Sequence, residues 1–326
     1  MRLLAGLAVL VAGLFGASLL VGPAAIGLGD SLRALVTGEG EAVVLVMREI
    51  RLPRALLGLM VGAALGLAGA AMQGFLRNPL AEPGLIGVSP AASLGAVLAL
   101  QTGVAAVWAP ALPLAALAGA GAAVALLFVL AGPRGGALTL ILAGIALSAL
   151  AGALMSLVLN LSPNPFAAME IVFWMMGSLA DRSMLHVALA APFMVAGALV
   201  LARTGRGLDA LTLGEDAAAA LGVSLGRLRV QVVVGVAALV GAATAVAGAV
   251  GFVGLVVPHL LRPLVGARPS ALLPAAALGG AAVVLAADIA TRILAPDRDL
   301  KLGVLTAIVG APFFFRLIWS MRRGGE

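Results

Sequence analysis

Very few side chains in this sequence of 326 residues could carry covalent chemistry. There are no cysteines and no tyrosines, and the two histidines, His186 and His259, lie far apart in the chain. This composition excludes a thiol nucleophile, a disulfide and an iron–sulfur site, and it disfavours an imidazole metal site. The one lysine, Lys301, follows a leucine, so no GxxxxGK[ST] phosphate loop can be written. We predict no cofactor and no catalytic centre, and any ATP that drives this chain must be hydrolysed by another one.

The charged residues point to electrostatic binding instead, and the first such group is "RLPR", residues 51–54. Arg51 and Arg54 flank Pro53 just where a long apolar run begins. Because proline is favoured in the first turn of a helix, a helix is predicted to start here. A cation at that end of a helix costs up to about 1 kcal/mol. The two arginines therefore call for a counterpart, and lipid headgroups reached by extended side chains are one candidate.

The second polar group lies in residues 203–229, the longest polar break in the interior of the chain. Within it "GEDAAAALG" predicts a short helix, with Glu215 and Asp216 in its first turn and Gly222 as its stop. Ser224 is predicted to cap a second short helix. So long a connection is either a surface amphipathic linker or a docking element for a cytoplasmic partner.

The elements that position these groups are membrane helices. The chain is 63% hydrophobic and 10% charged, with a mean hydropathy of +1.18, whereas soluble domains carry about 25% charged residues. Runs of about 20 apolar residues predict an all-α integral membrane protein. About ten spans are predicted, at residues 3–28, 54–75, 85–102, 111–131, 138–160, 185–203, 230–249, 251–264, 271–289 and 302–320. The first could instead be a signal peptide, and the span at 251–264 is interrupted by Pro258.

The distribution of cations predicts the orientation. Arginines are more frequent in the loops on the side of the N-terminus, so both termini are predicted to be cytoplasmic. The formal charge of +6 needs no nucleic-acid partner, because positive loops are usual in membrane proteins. "GLIGVSP" (84–90) and "GFVGLVVP" (251–258) follow similar small-residue spans of opposite direction, as an inverted repeat would.

Several long motifs in order resemble the FecCD-type permeases, the membrane subunits of bacterial importers for iron–siderophores, haem and vitamin B12. The first is "RLPRALLGLMVGAALGLAGAAMQGFLRNPLAEPGLIGVSPAASLGA". The later ones are "GEDAAAALGVSLGRLR", "GFVGLVVPHLLRPLVG", "ADIATR" and "LGVLTAIVGAPFFFRLI". The resemblance extends over nearly the whole chain.

The resemblance implies one permease domain over residues 1–326, with about ten helices, in the bacterial cytoplasmic (inner) membrane. It implies a homodimer that binds two cytoplasmic ATPase subunits and a periplasmic substrate-binding protein, with an iron–siderophore, haem or cobalamin as cargo. The loop at about 204–229 would couple the permease to the ATPase. The residues that match the coupling helix are Leu213, Gly214, Glu215, Asp216, Ala217, Ala218, Ala219, Ala220, Leu221 and Gly222.

The resemblance also implies a docking rim for the binding protein, formed by Arg51, Arg54 and Arg292. Arg292 lies four residues after Asp288, however, and that spacing also predicts an ion pair within one helix. Lys301 stands where the family usually has a proline, and it adds a cation near the same rim.

Two other classes of protein compete with an importer permease. An ion-coupled secondary transporter would need an ionisable group deep in the membrane, and the sequence offers Asp288 and Glu170, both near predicted outer ends. A membrane enzyme is disfavoured by the lack of cysteine and tyrosine and by the absence of paired carboxylates within the spans.

Overall fold

The structure is a computed structural model that describes residues 2–24, 26–38, 40–132, 135–162, 165–295, 298 and 300–323, without the side chains at 317, 318 and 320–323. The described residues form sixteen α-helices and no β-strand. The helices are α1 (Arg2–Leu20), α2 (Leu28–Val36), α3 (Glu41–Val44), α4 (Leu52–Phe75), α5 (Val88–Gln101), α6 (Val104–Val107), α7 (Ala111–Ala131), α8 (Ala137–Asn160), α9 (Pro165–Met175), α10 (Met184–Ala202), α11 (Gly205–Leu211), α12 (Glu215–Ala220), α13 (Leu225–Ala247), α14 (Val253–Leu261), α15 (Pro269–Leu294) and α16 (Leu302–Arg323).

Each of the ten predicted spans overlaps a helix, although the first, 3–28, runs past the end of α1 at Leu20. Seven helices in the described part of the chain are long and apolar enough to cross a membrane, and α5, α9 and the described part of α16 are shorter apolar helices. The interrupted span is α14, nine residues long with Pro258 inside it. The prediction of a multi-helix membrane protein is confirmed, while the sequence did not indicate α2, α6 or α9.

The centre of the bundle is the pair α4 and α15, whose backbones touch. A Cβ built on Gly66 would lie 2.0 Å from the Ala276 carbonyl oxygen, and one on Gly62 would lie 2.3 Å from the Gly280 carbonyl oxygen. Lipid provides no hydrophobic drive between helices, so small residues that let backbones approach supply the packing instead. The glycine-rich composition of "VGAALGLAG" therefore allows α15 to pack directly against the backbone of α4.

Close backbone contact at glycines also holds the neighbouring helices α5 and α7 together. A Cβ on Gly95 of α5 would meet the Ala115 carbonyl oxygen of α7 at 2.1 Å, and one on Gly119 of α7 would meet the Ala91 carbonyl oxygen at 2.3 Å. The long helix α13 is buried along most of its length between these two groups. The small-residue runs thus determine which helices are neighbours.

Two local predictions are wrong. A helix does not start at Pro53, because α3, a π-helical segment Leu45–Arg51 and α4 run on as one helical stretch of 35 residues. The wider π turn precedes the proline, which has no N–H to contribute to a regular ladder. Ser224 caps no second short helix, because it is the N-cap residue of the long helix α13, and the extra short helix is α11.

A substitution at the α4–α15 contact tests this account of the packing. Gly66→Ala is expected to destabilise the protein by about 1–3 kcal/mol or more, because the methyl group overlaps a backbone oxygen that cannot rotate away. Thermal unfolding in detergent is the measurement.

Gly13→Ala in α1 is the matched control, because a Cβ there meets no atom within 4 Å. The alanine is expected to be neutral or stabilising by up to about 1 kcal/mol through its helix propensity. Equal unfolding temperatures for the two variants would contradict the close-packing account.

Candidate functional site

At one end of the bundle four charged residues form a polar group that we call the outer cluster: Arg51, Arg54, Asp288 and Arg292. Asp288 is 1% exposed, and its carboxylate accepts hydrogen bonds from Arg54 Nε and Nη2, both at 2.9 Å from Oδ1. Arg292 Nη2 donates to the other carboxylate oxygen, Oδ2. The predicted i,i+4 pair is therefore present, and a second arginine from α4 shares the same carboxylate.

The remaining donors of the outer cluster bind the C-terminal end of α1. Arg292 Nη1 donates to the carbonyl oxygens of Ser18 and Val21, each at 2.8 Å. Arg51 Nη1 donates to those of Leu19 and Leu20 at 3.0 and 2.9 Å. These oxygens have no partner within α1, and the end of a helix that carries them attracts cations. Arg51, which looked misplaced at the start of α4, is thus well placed at the end of α1, while Arg54 binds Asp288 instead.

Burial differs among the three arginines. Arg51 is 4% exposed, the Arg292 side chain is 7% exposed and that of Arg54 is 19% exposed. Three guanidinium groups and one carboxylate leave two net positive charges at this end of the bundle. Arg54 is the member of the outer cluster that solvent reaches most, and Arg51 is directed into the protein rather than towards headgroups. Lys301 Nζ lies 5.5 Å from the centre of the Phe173 ring on α9.

The second candidate region is formed by α11, α12 and the turns around them, and we call it the coupling segment (residues 204–222). Helix α12 is anchored by one side chain, Ala218, which is fully buried. Leu213 and Leu221 flank the helix and are 68% and 65% exposed. Two large apolar side chains are therefore exposed on either side of one short helix. The acidic pair Glu215 and Asp216 is exposed beside them.

Glycines set both ends of α12. Gly214 precedes it with a φ of 105° and Gly222 follows it with a φ of 84°, conformations that side chains with a Cβ rarely adopt. The Val223 N–H donates to the Ala218 carbonyl oxygen at 3.0 Å and the Gly222 N–H donates to that of Ala219 at 2.9 Å. This is a Schellman ending. The predicted short helix and its stop at Gly222 are confirmed.

The coupling segment is also tied to α15 through Asp209 of α11. Its Oδ1 accepts the Ser270 N–H at 2.8 Å, and its Oδ2 accepts Ser270 Oγ–H at 2.7 Å and Arg268 Nε–H at 2.8 Å. Burial raises the pKa of this carboxyl, but the hydrogen bonds from Ser270 and Arg268 outweigh it and hold the pKa below the ordinary value. A depressed folded-state pKa stabilises the fold at neutral pH, and that contribution is lost as the pH falls through it.

A third carboxylate, which sequence reasoning missed, lies inside the bundle. Glu82 Oε1 accepts the backbone N–H of Phe252 at 3.2 Å, at the N-terminus of α14. The adjoining Pro83 packs on Gly254, whose Cβ position is 3.0 Å from the Leu65 carbonyl oxygen near the middle of α4. The chain after α4 therefore turns back into the bundle. The two similar motifs at 84–90 and 251–258 meet there.

These carboxylates bear on the rival hypothesis of ion coupling. Asp288 is neutralised by two guanidiniums, Glu82 caps a helix, and Glu170 is exposed. Among the described residues no group of three histidine or carboxylate side chains is close enough to hold a metal ion. The polar groups gathered around Asp288 and Glu82 thus hold helices together.

Comparison with known proteins gives the same picture over the whole chain. The model of the FecCD transport family matches residues 9–320. The Fe(3+) dicitrate transport system permease protein FecD of Escherichia coli strain K12 is 40% identical over 89% of this chain and 91% of its own length. The ferric enterobactin permease FepD of the same strain is 40% identical over 94% of this chain and 92% of its own length. The hemin permease HmuU of Yersinia pestis is 37% identical over 88% of this chain and 86% of its own length.

A solved structure agrees with the fold in detail. It is an inward-facing chain assigned to the metal-chelate type of ABC transporter, with a TM-score of 0.87 and 34% identity over 98% of this chain and 99% of that one. A family match across nearly all ten spans, together with relatives matched along almost their full length, leaves one assignment. The chain belongs to the FecCD transport family of membrane permeases.

Proposed function

We propose that this chain is the membrane-spanning subunit of a binding-protein-dependent ABC importer. It forms a homodimer, and two ATPase subunits on the cytoplasmic side supply the energy. The observation that carries the proposal is the coupling segment, because α12 is anchored through Ala218 while Leu213 and Leu221 on either side of it stay exposed. The chain cannot form a phosphate loop of its own, so the exposed helix is where an ATPase engages it.

The outer cluster supports a second contact, with a substrate-binding protein on the opposite side. Arg51, Arg54 and Arg292 carry two net positive charges after Asp288 is counted, and Arg54 is partly open to solvent. Positive charge on a rim attracts an acidic partner and orients the encounter more than it adds affinity. The three arginines form one docking site, with Arg54 as its outermost group.

The cargo we propose is a metal chelate, and an iron–siderophore is the first choice over haem and cobalamin. The relatives are named for ferric dicitrate, ferric enterobactin and hemin. Both termini lie in the cytoplasm and the membrane is the bacterial inner membrane, which places the coupling segment inside and the outer cluster outside. An ion-coupled transporter is the weaker hypothesis, because the buried Asp288 is already neutralised.

The direct test of this function is reconstitution. A tagged chain purified from its native membrane should bring down an ATPase subunit. In liposomes, ATP hydrolysis by this complex should rise when a substrate-loaded binding protein is added, because docking outside and hydrolysis inside are coupled through this chain.

Uptake into the same vesicles is the decisive control. We expect uptake that requires internal ATP and ignores an imposed pH gradient. Uptake that follows the pH gradient and proceeds without ATP would overturn the proposal in favour of secondary transport.

A substitution in the coupling segment tests the ATPase contact. Leu221→Glu should reduce co-purification of the ATPase at least about tenfold, because loss of one buried leucine contact is worth about 1.5–3 kcal/mol. The side chain is 65% exposed in this chain alone, so the fold should be unaffected.

Leu221→Met is the control at the same position, since it keeps the apolar contact. Its recovery of ATPase should match that of the unchanged chain. If Leu221→Glu retained the ATPase in full, α12 would not be the contact.

A third test concerns the outer cluster. Arg54→Gln should slow association of the binding protein by about threefold or more at low salt, and the effect should shrink at high salt, since steering by charge is screened. Asp288 keeps Arg292 as its partner in this variant, so the cluster survives.

Arg33→Gln removes a positive charge that is more exposed than Arg54, on α2 outside the cluster, and should leave the association rate nearly unchanged. Stopped-flow fluorescence measures both rates. Equal association rates for Arg54→Gln and Arg33→Gln would contradict the assignment of Arg54 to the docking site.

A further inference from the structure

The first turn of α15 receives its cap from another helix. The N-cap residue of α15 is Arg268, whose backbone has the extended conformation of an N-cap (φ −79°, ψ 116°) but whose side chain has no acceptor. Pro269 follows and has no N–H, so the first N–H of the helix that needs a partner is that of Ser270. A serine, threonine or aspartate at position 268 would ordinarily supply the acceptor.

Asp209 of α11 supplies the acceptor instead, from 61 residues earlier in the chain. It takes both the N–H and the hydroxyl of Ser270 as well as the Arg268 guanidinium. Contact between the two elements extends beyond these bonds, because a Cβ on Gly205 of α11 would lie 3.1 Å from Ser270 Cβ. A cap supplied in this way does more than stabilise one helix: it joins α11 to α15.

Each of the two helices joined here, α11 and α15, connects the junction to another part of the protein. Only Thr212, Leu213 and Gly214 separate α11 from α12, and the Thr212 hydroxyl bonds back to the Asp209 carbonyl oxygen at 2.6 Å. On the other side, α15 is seated on α4 by direct backbone contact. The far end of α15 carries Asp288, which binds Arg54 and Arg292 in the outer cluster. The junction at Asp209 therefore lies between the proposed ATPase contact and the helices that reach the opposite face.

We propose that Asp209 is a positioning residue for transport: its bonds to Ser270 and Arg268 make α15, and with it α4, follow the movement of the coupling segment. The proposal rests on the function proposed above. Asp209 touches neither cargo nor ATPase. It determines whether α15 moves when α12 is displaced, or whether the displacement ends at the first turn of α15.

A role in capping alone would also make Asp209 important, so the experiment separates the cap from the junction. Asp209→Ala removes both. The double variant Asp209→Ala with Arg268→Ser restores a cap acceptor within α15 itself, since position 268 already has N-cap geometry, but it does not rejoin α11 to α15. Glu41→Gln, on exposed α3, controls for the loss of one negative charge.

The measurement is the stimulation of ATP hydrolysis by the loaded binding protein in liposomes, with thermal unfolding and ATPase co-purification recorded for each variant. We expect Asp209→Ala to lower both the unfolding temperature and the stimulation. The double variant should recover the unfolding temperature and ATPase binding, while stimulation stays reduced by about fivefold or more, the lower end of measured coupling between sites. Full recovery of stimulation in the double variant would overturn the proposal.

A second readout needs no partner protein. Because the chain has no cysteine, spin labels can be attached through Ala220→Cys on α12 and Ala286→Cys on α15, both at exposed positions. The distance distribution in nanodiscs should be narrow in the otherwise unchanged chain and broad in both Asp209 variants. Equal widths would contradict the junction. If instead the unchanged chain showed no ATPase binding or stimulation, the proposed function would fail, and this distance measurement would still judge the junction.

Discussion

Direct backbone packing between α4 and α15 is the contact on which the rest of this structure depends. Both helices lie in a medium that gives apolar side chains no reason to associate, so they are held by close approach at Gly62, Gly66 and Gly280. A pair packed in this way has little freedom to slide or rotate, because any added atom meets a carbonyl group. What happens at one end of α15 is therefore transmitted along it.

The polar residues are placed where this rigid pair ends. At one end, Asp288 brings Arg54 and Arg292 together, and Arg51 and Arg292 satisfy the last carbonyls of α1. At the opposite end, Asp209 caps the first turn of α15. A buried carboxylate with two guanidiniums is costly to assemble, and it would be very costly to leave that carboxylate with no guanidinium partner. Such a group serves to fix the position of α1, α4 and α15 relative to each other.

The proposed function depends on two surfaces that the packed helices α1, α4 and α15 leave exposed. The coupling segment presents a short helix with two leucines turned outwards, and the outer cluster presents a net positive charge through Arg54. One surface is apolar and suited to a lasting contact, and the other is charged and suited to a repeated encounter. In the function proposed above, the first surface would meet the ATPase and the second would meet the binding protein.

The sequence by itself determined the class of protein, the ten spans, the short helix ending at Gly222 and the family, because these depend on local composition and on motifs that are contiguous in the chain. It also identified Arg51, Arg54 and Arg292 as unusual. It did not indicate the partners of Arg51 and Arg54, because Arg51 binds the end of α1 about thirty residues earlier and Arg54 binds Asp288 of α15, 234 residues later. Asp209 and Glu82 stood out in no pattern, since each acts on a helix that begins far along the sequence. Only the tertiary structure decided these roles, because the effect of a charged side chain depends on the groups that folding brings within hydrogen-bond distance of it.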